Sequence, residues 1–92
     1  MNARPVTKSI SAQNTFTDAV PMAPGSKAML KARVGGGKVT VQVSNDEFVS
    51  DITDAYNTTA DTVQTISVEG SCQIRAGIKT GDYVGAAYVE LR

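Results

Sequence analysis

From Cys72 to Arg92 the chain reads Cys-Gln-Ile-Arg-Ala-Gly-Ile-Lys-Thr-Gly-Asp-Tyr-Val-Gly-Ala-Ala-Tyr-Val-Glu-Leu-Arg. Apolar residues take alternate positions, the alternation breaks at Gly81-Asp82, and then it resumes. Successive side chains of a strand point to opposite faces, so a period of two calls for extended, half-buried backbone and not for a helix. Cys72, Ile74, Ala76 and Ile78 share one face, with Gln73, Arg75 and Lys79 opposite. Ala87, Val89 and Leu91 are expected to face a core, and Tyr88 and Glu90 to face out. Together the two runs predict a β-hairpin whose second strand is locked into a sheet.

The same period recurs upstream. Ala28, Leu30, Ala32 and Val34 alternate with Lys27, Met29, Lys31 and Arg33, the pattern of a half-buried antiparallel strand with a cationic outer face. Gly35-Gly36-Gly37 turns the chain, and Val39, Val41 and Val43 alternate with Thr40, Gln42 and Ser44, which predicts a second hairpin. Thr15–Val20 is a short strand stopped by Pro21 and Pro24-Gly25. Residues 44–47 carry turn chemistry, Phe48–Asp51 reads as a short strand, and 51–61 as a loop or irregular edge. Thr62–Val68, rich in β-branched residues, reads as a strand. Residues 1–13 are polar and mixed and read as a flexible or docking N-terminal arm. The expected architecture is all-β: a single small antiparallel β-sandwich of about seven strands over 14–92, in immunoglobulin-like or jelly-roll-like order.

Ninety-two residues hold one core, and five aromatics without Trp leave that core to Val, Ile, Leu, Ala and Met. A core so thin favours oligomerisation. Nine basic and nine acidic residues cancel, which argues against nucleic acid or a membrane as partner. No apolar run reads as a signal peptide or a membrane span. The lone Cys72 excludes an internal disulfide, and its alternating surroundings predict a buried, inert thiol. Synthesis in a reducing cytoplasm fits, and Asn57-Thr58-Thr59 then reads as a chance glycosylation match.

The sequence lacks histidine, which removes the commonest general base and metal ligand, and a single Cys rules out a cysteine-based zinc site. No catalytic residue, cofactor or metal site is expected. Gly35-Gly36-Gly37-Lys38 fails as a phosphate loop, because Ala32 and Val39 stand where that motif needs Gly and Ser or Thr. Asp51 with Asp54 as a glycosidase pair lacks any aromatic platform. The acids of 46–69 lack the spacing of a helix-loop-helix calcium site.

Charge is unevenly distributed all the same. Six of nine basic residues precede position 39, and no basic residue lies between Lys38 and Arg75. If the two regions form different faces, copies can dock basic edge to acidic edge. The candidate protein-interface residues are Arg4, Lys8, Lys31, Arg33 and Lys38 on one side, and Asp46, Glu47, Asp51 and Asp54 on the other.

The run Arg75-x-Gly77-x-x-x-Gly81-Asp82-Tyr83, followed by the small-residue strand from Gly85, resembles a pattern in small structural proteins of tailed bacteriophages. The strand Val39–Ser44 followed by Asn45-Asp46 is similar to that group's central hairpin. The resemblance covers about 14–92. It implies a non-enzymatic virion structural protein, made in the host bacterial cytoplasm. Its place would be the capsid exterior, as a head decoration or cement protein. Its partners would be the major capsid protein and copies of itself, as a homotrimer. The alternative is a tail, collar or baseplate component with a host-surface or glycan-binding role; the absence of Trp weakens the glycan reading.

Overall fold

The computed structural model describes residues 5–92, and within them the chain forms nine strands. These are β1 (Val6–Ile10), β2 (Thr15–Phe16), β3 (Val20–Met22), β4 (Lys27–Arg33), β5 (Val39–Ser44), β6 (Ile52–Thr58), β7 (Thr62–Ser67), β8 (Cys72–Ile78) and β9 (Ala87–Leu91). One sheet has the order β1-β9-β4-β7; the other has β2-β8-β5-β6, with β3 also on β8. Every pairing is antiparallel.

β2 and β3 are one strand interrupted at residues 17–19. Both pair with β8, and Thr17 in the gap still bonds Ala76 through its backbone N–H (2.8 Å) and accepts the Ala76 N–H on its hydroxyl (3.2 Å). Counting them as one strand, the partners are first with last, second with seventh, third with sixth and fourth with fifth. The chain is therefore one long hairpin, its tip at β5–β6, rolled until its two arms lie in two sheets. That winding is the jelly-roll order, and it decides between the two orders the sequence left open.

Alternation did its work within each strand. β4 buries Ala28, Leu30 and Ala32 and exposes Lys27, Met29, Lys31 and Arg33. Ile74, Ala76 and Ile78 of β8 and Ala87, Val89 and Leu91 of β9 are buried as expected. Each large aliphatic side chain removed from water in this way stabilises the fold by about 1.5–3 kcal/mol.

Neither of the two expected hairpins forms. β4 and β5 lie in different sheets, and so do β8 and β9. The loops 34–38 and 79–86 are crossovers at one end of the sandwich, and they dock on each other. Lys38 N–H donates to Asp82 O at 3.1 Å, and a Cβ on Gly35 would stand 2.6 Å from Gly85 O. Asp61 Oδ1 accepts the Val34 N–H at 3.0 Å, and Gln13 Oε1 accepts the Gly81 N–H at 2.9 Å, joining the other two crossovers to the same end.

Three further expectations are corrected. The segment read as an arm over 1–13 contributes β1, which pairs residue for residue with β9 from Val6↔Leu91 to Ile10↔Ala87; only Val6 and Ile10 reach the interior, too few to register as a pattern. Removing 1–13 would strip the strand that flanks β9. The loop expected over 51–61 contains β6, an edge strand with a bulge opposite Val41/Gln42, exposed along most of its length and so without alternation. Phe48–Asp51, read as a strand, is a turn. Pro21 sits inside β3 without harm because that strand pairs on one side only.

Candidate functional site

The tip of the wound hairpin, residues 45–51, is built around Asp46. Its carboxylate accepts from the Ser44 hydroxyl (2.8 Å), from the Ser50 N–H (3.0 Å) and hydroxyl (2.7 Å), and from the Asp51 N–H (3.1 Å). The Ser50 and Ser44 hydroxyls in particular hold Asp46 well below the ordinary carboxylate value of 3.8. Glu47 and Phe48 follow with φ of +59° and +64°, a left-handed pair rare for residues bearing a Cβ and unusual for a bulky aromatic. The Gln73 side-chain oxygen accepts the Glu47 N–H at 3.1 Å. Carboxylate, serines and Gln73 thus enforce a conformation that the backbone resists. The turn leaves Val49 81% exposed at its apex.

What the turn gains is a ring laid over the sheet. The Arg75 guanidinium lies 4.2 Å from the centroid of Phe48 and 4.2 Å from that of Phe16. Its Nε and Nη2 both donate to Gln42 Oε1, at 3.0 and 2.8 Å. Gln42 Nε2 donates to Asp54 Oδ1 at 3.0 Å, and Lys79 Nζ donates to Asp54 Oδ2 at 2.6 Å. Partial burial lowers the Arg75 value, while Lys79, then Gln42, lower that of Asp54. Gly77 makes room for this arrangement: a Cβ there would lie 2.6 Å from Phe16 Cα. The network clamps β2, β5, β6, β8 and the tip together across the outer side of one sheet.

The nine residues proposed from charge fall in separate places. Lys31 and Arg33 stand on the outer side of the β1-β9-β4-β7 sheet. Lys38 lies in a crossover loop, its Nζ 3.7 Å from Asp82 Oδ2. Lys8 is on the edge strand β1, in register with inward-facing Val89 yet exposed, a charge that guards a free sheet edge against pairing. Asp46, Glu47 and Asp51 share the tip, whereas Asp54 is taken up by Lys79 and Gln42. Arg4 lies outside the described residues. Charge asymmetry in the sequence thus becomes a cationic face and an acidic tip, with Lys38 and Asp54 removed from both sets by local partners.

Sequence reasoning missed the Phe16–Arg75–Phe48 stack, which joins positions 59 apart with no local signal. It also missed the exposed apolar residues Val49 and Val63. Met29 was legible in part, since it occupies an outward slot of a strand.

Cys72 is half-buried, and burial pushes its thiol value up, the setting of an unreactive cysteine. Beside it, Val43, Ala55, Val68 and Glu69 line an open cleft of about 300 Å³ at the sandwich end. Among the described residues no three His, Cys, Asp or Glu side chains are grouped to hold a metal ion. No protein-family model, curated protein or solved structure matches this chain.

The tip makes stability depend on acid. A carboxylate with a lower value folded than unfolded contributes stability that is full above the unfolded value and is lost as pH falls toward the folded one. Asp46, Asp54 and Glu90 are all lowered, so thermal stability should decline below about pH 4. Asp46→Asn should melt lower than wild type at neutral pH, and the gap should narrow as pH falls toward about 2. A gap that stays constant in Tm across that range would mean that the ionised carboxylate does not hold the turn.

Proposed function

We propose that this chain is a non-enzymatic structural protein of a tailed-phage virion, a β-sandwich that binds the outer capsid surface as a decoration or cement protein and also contacts copies of itself. The observation that carries the reading is the separation of contact surfaces. Three cations of β4 point outward from one sheet, the carboxylates of the tip gather at one end, and each set stands beside exposed apolar side chains. A protein shared between a shell and its neighbours needs several small docking surfaces on one stiff body. The wound hairpin, the docked crossovers and the Arg75 clamp supply that stiffness. The resemblance carried by Arg75, Gly77, Gly81, Asp82 and Tyr83 supplies the phage setting. In this structure those residues act as turn, packing and clamp positions.

Purified protein mixed with phage capsids stripped of their minor proteins should bind saturably, in a fixed ratio to the major capsid protein. It should also raise the temperature at which the shells come apart. Absence of shell binding, together with binding to tails or host cells, would replace this reading with the tail or baseplate one.

A further inference from the structure

Two of the exposed apolar sites are complementary to each other. Val49 projects from the tip between Glu47 and Asp51, two exposed carboxylates. Met29 (46% exposed) and Val63 (61%) stand on the outer side of the β1-β9-β4-β7 sheet, in shallow depressions lined also by Lys31, Arg33 and Arg92. Lys31 and Val63 are cross-strand partners, so cation and apolar side chain lie side by side on β4 and β7. Two carboxylates line these depressions: Glu90, in register with Lys31 and engaged by Arg92, and Asp61, whose Oδ1 accepts the Val34 N–H. Neither Lys31 nor Arg33 makes an ion pair with another described residue.

We propose that the tip of one copy docks on this face of a second copy. Val49 would enter the Met29–Val63 depression, with Glu47 and Asp51 meeting Lys31 and Arg33. This deepens the copy-to-copy half of the proposed function and does not rest on the shell half. A second copy is the occupant because an exposed apolar side chain beside carboxylates answers an exposed apolar pair beside cations, and both surfaces belong to this chain. An apolar centre excludes water while the surrounding opposite charges set partner and register. The conformation imposed on Glu47 and Phe48 gives the knob a fixed form before contact, which lowers the ordering cost of binding. Each copy then carries one knob and one socket in different places. Such a heterologous contact forms a ring, for example a trimer, where the rotation between copies closes, and an open chain of copies where it does not.

The test is solution mass as a function of concentration, with folding of every variant checked by circular dichroism. A contact this small predicts weak association, detected over about 10 μM to 1 mM. Wild type should exceed monomer mass in that range. Lys31→Glu with Arg33→Glu, or Glu47→Lys with Asp51→Lys, should weaken association about tenfold or more. All four changes together should restore it. Val49→Asp should abolish it, while Val84→Asp, at an exposed valine in a crossover loop, should not. A monomeric wild type, unaffected single-side swaps, or no recovery in the fourfold variant would each overturn the proposal. Shell binding by a strictly monomeric protein would overturn it while leaving the capsid reading standing.

Discussion

Gly35→Ala should remove a large share of the stability of the folded state. Two costs coincide at this position. Gly35 holds φ at +59°, where a Cβ costs about 1–2 kcal/mol. That Cβ would also run into the backbone carbonyls of Gly85 and Ala86, neither of which can swing aside as a side-chain tip can. Relief requires the loops 34–38 and 79–86 to part, breaking the Lys38–Asp82 backbone bond and pulling on both sheets at once. A total of about 3–5 kcal/mol is expected, a large share of what a small domain has. Gly70→Ala is the matched control: nothing lies near its would-be Cβ, so the change should stay within about 0.5 kcal/mol. Urea unfolding of the two variants decides the matter, and comparable stabilities would show that the crossovers do not depend on close approach.

Leu30→Ala should cost about 3–5 kcal/mol by the same measurement. Leu30 is fully buried at the centre of β4, directly opposite Leu91 on β9 and Gln64 on β7. β4 lies between those two strands, so the cavity opens in the middle of its sheet, where paired neighbours on both sides limit collapse. Leu30→Met, which preserves volume, should cost less than about 1.5 kcal/mol. Val63→Ala, one strand away but exposed, should leave stability nearly unchanged, separating the core role of β4 from the docking role of its outer side.

Period-two patterning was enough to name the inward and outward sides of β4, β8 and β9, because each has one apolar face on the core and an opposite face that is exposed in β4 and less deeply buried in β8 and β9. It could not say which sheet a strand joins. A glycine-rich loop such as 35–37 suits a hairpin turn and a sheet-to-sheet crossover equally, and only the partner strands distinguish them. β5 illustrates the difference: Thr40, Gln42 and Ser44 are as buried as Val39 and Val41, since the Arg75 network and the tip cover its outer side. Edge strands were hardest to read. β1 and β6 bury few residues, so burial left little alternation in their sequences. The charged candidates were legible as types, but their grouping was not. Lys31 and Arg33 remain available, whereas Asp54 is tied to a lysine 25 positions away.

The rolled hairpin also sets a timetable. Its tip pair, β5 and β6, are neighbours in the chain, so they can meet early and locally. Each further pair joins segments more remote than the last, ending with β1 against β9. β9 comes last in chain order, yet it lies between β1 and β4, inside its sheet. While the chain is being synthesised, β1 and β4 must wait without the strand that joins them, and one half of the sandwich stays open until residues 87–91 arrive. Distant pairings of this kind slow folding to the millisecond-to-second range. During that interval the unpaired strand edges of β1 and β4 are exposed to any neighbouring chain.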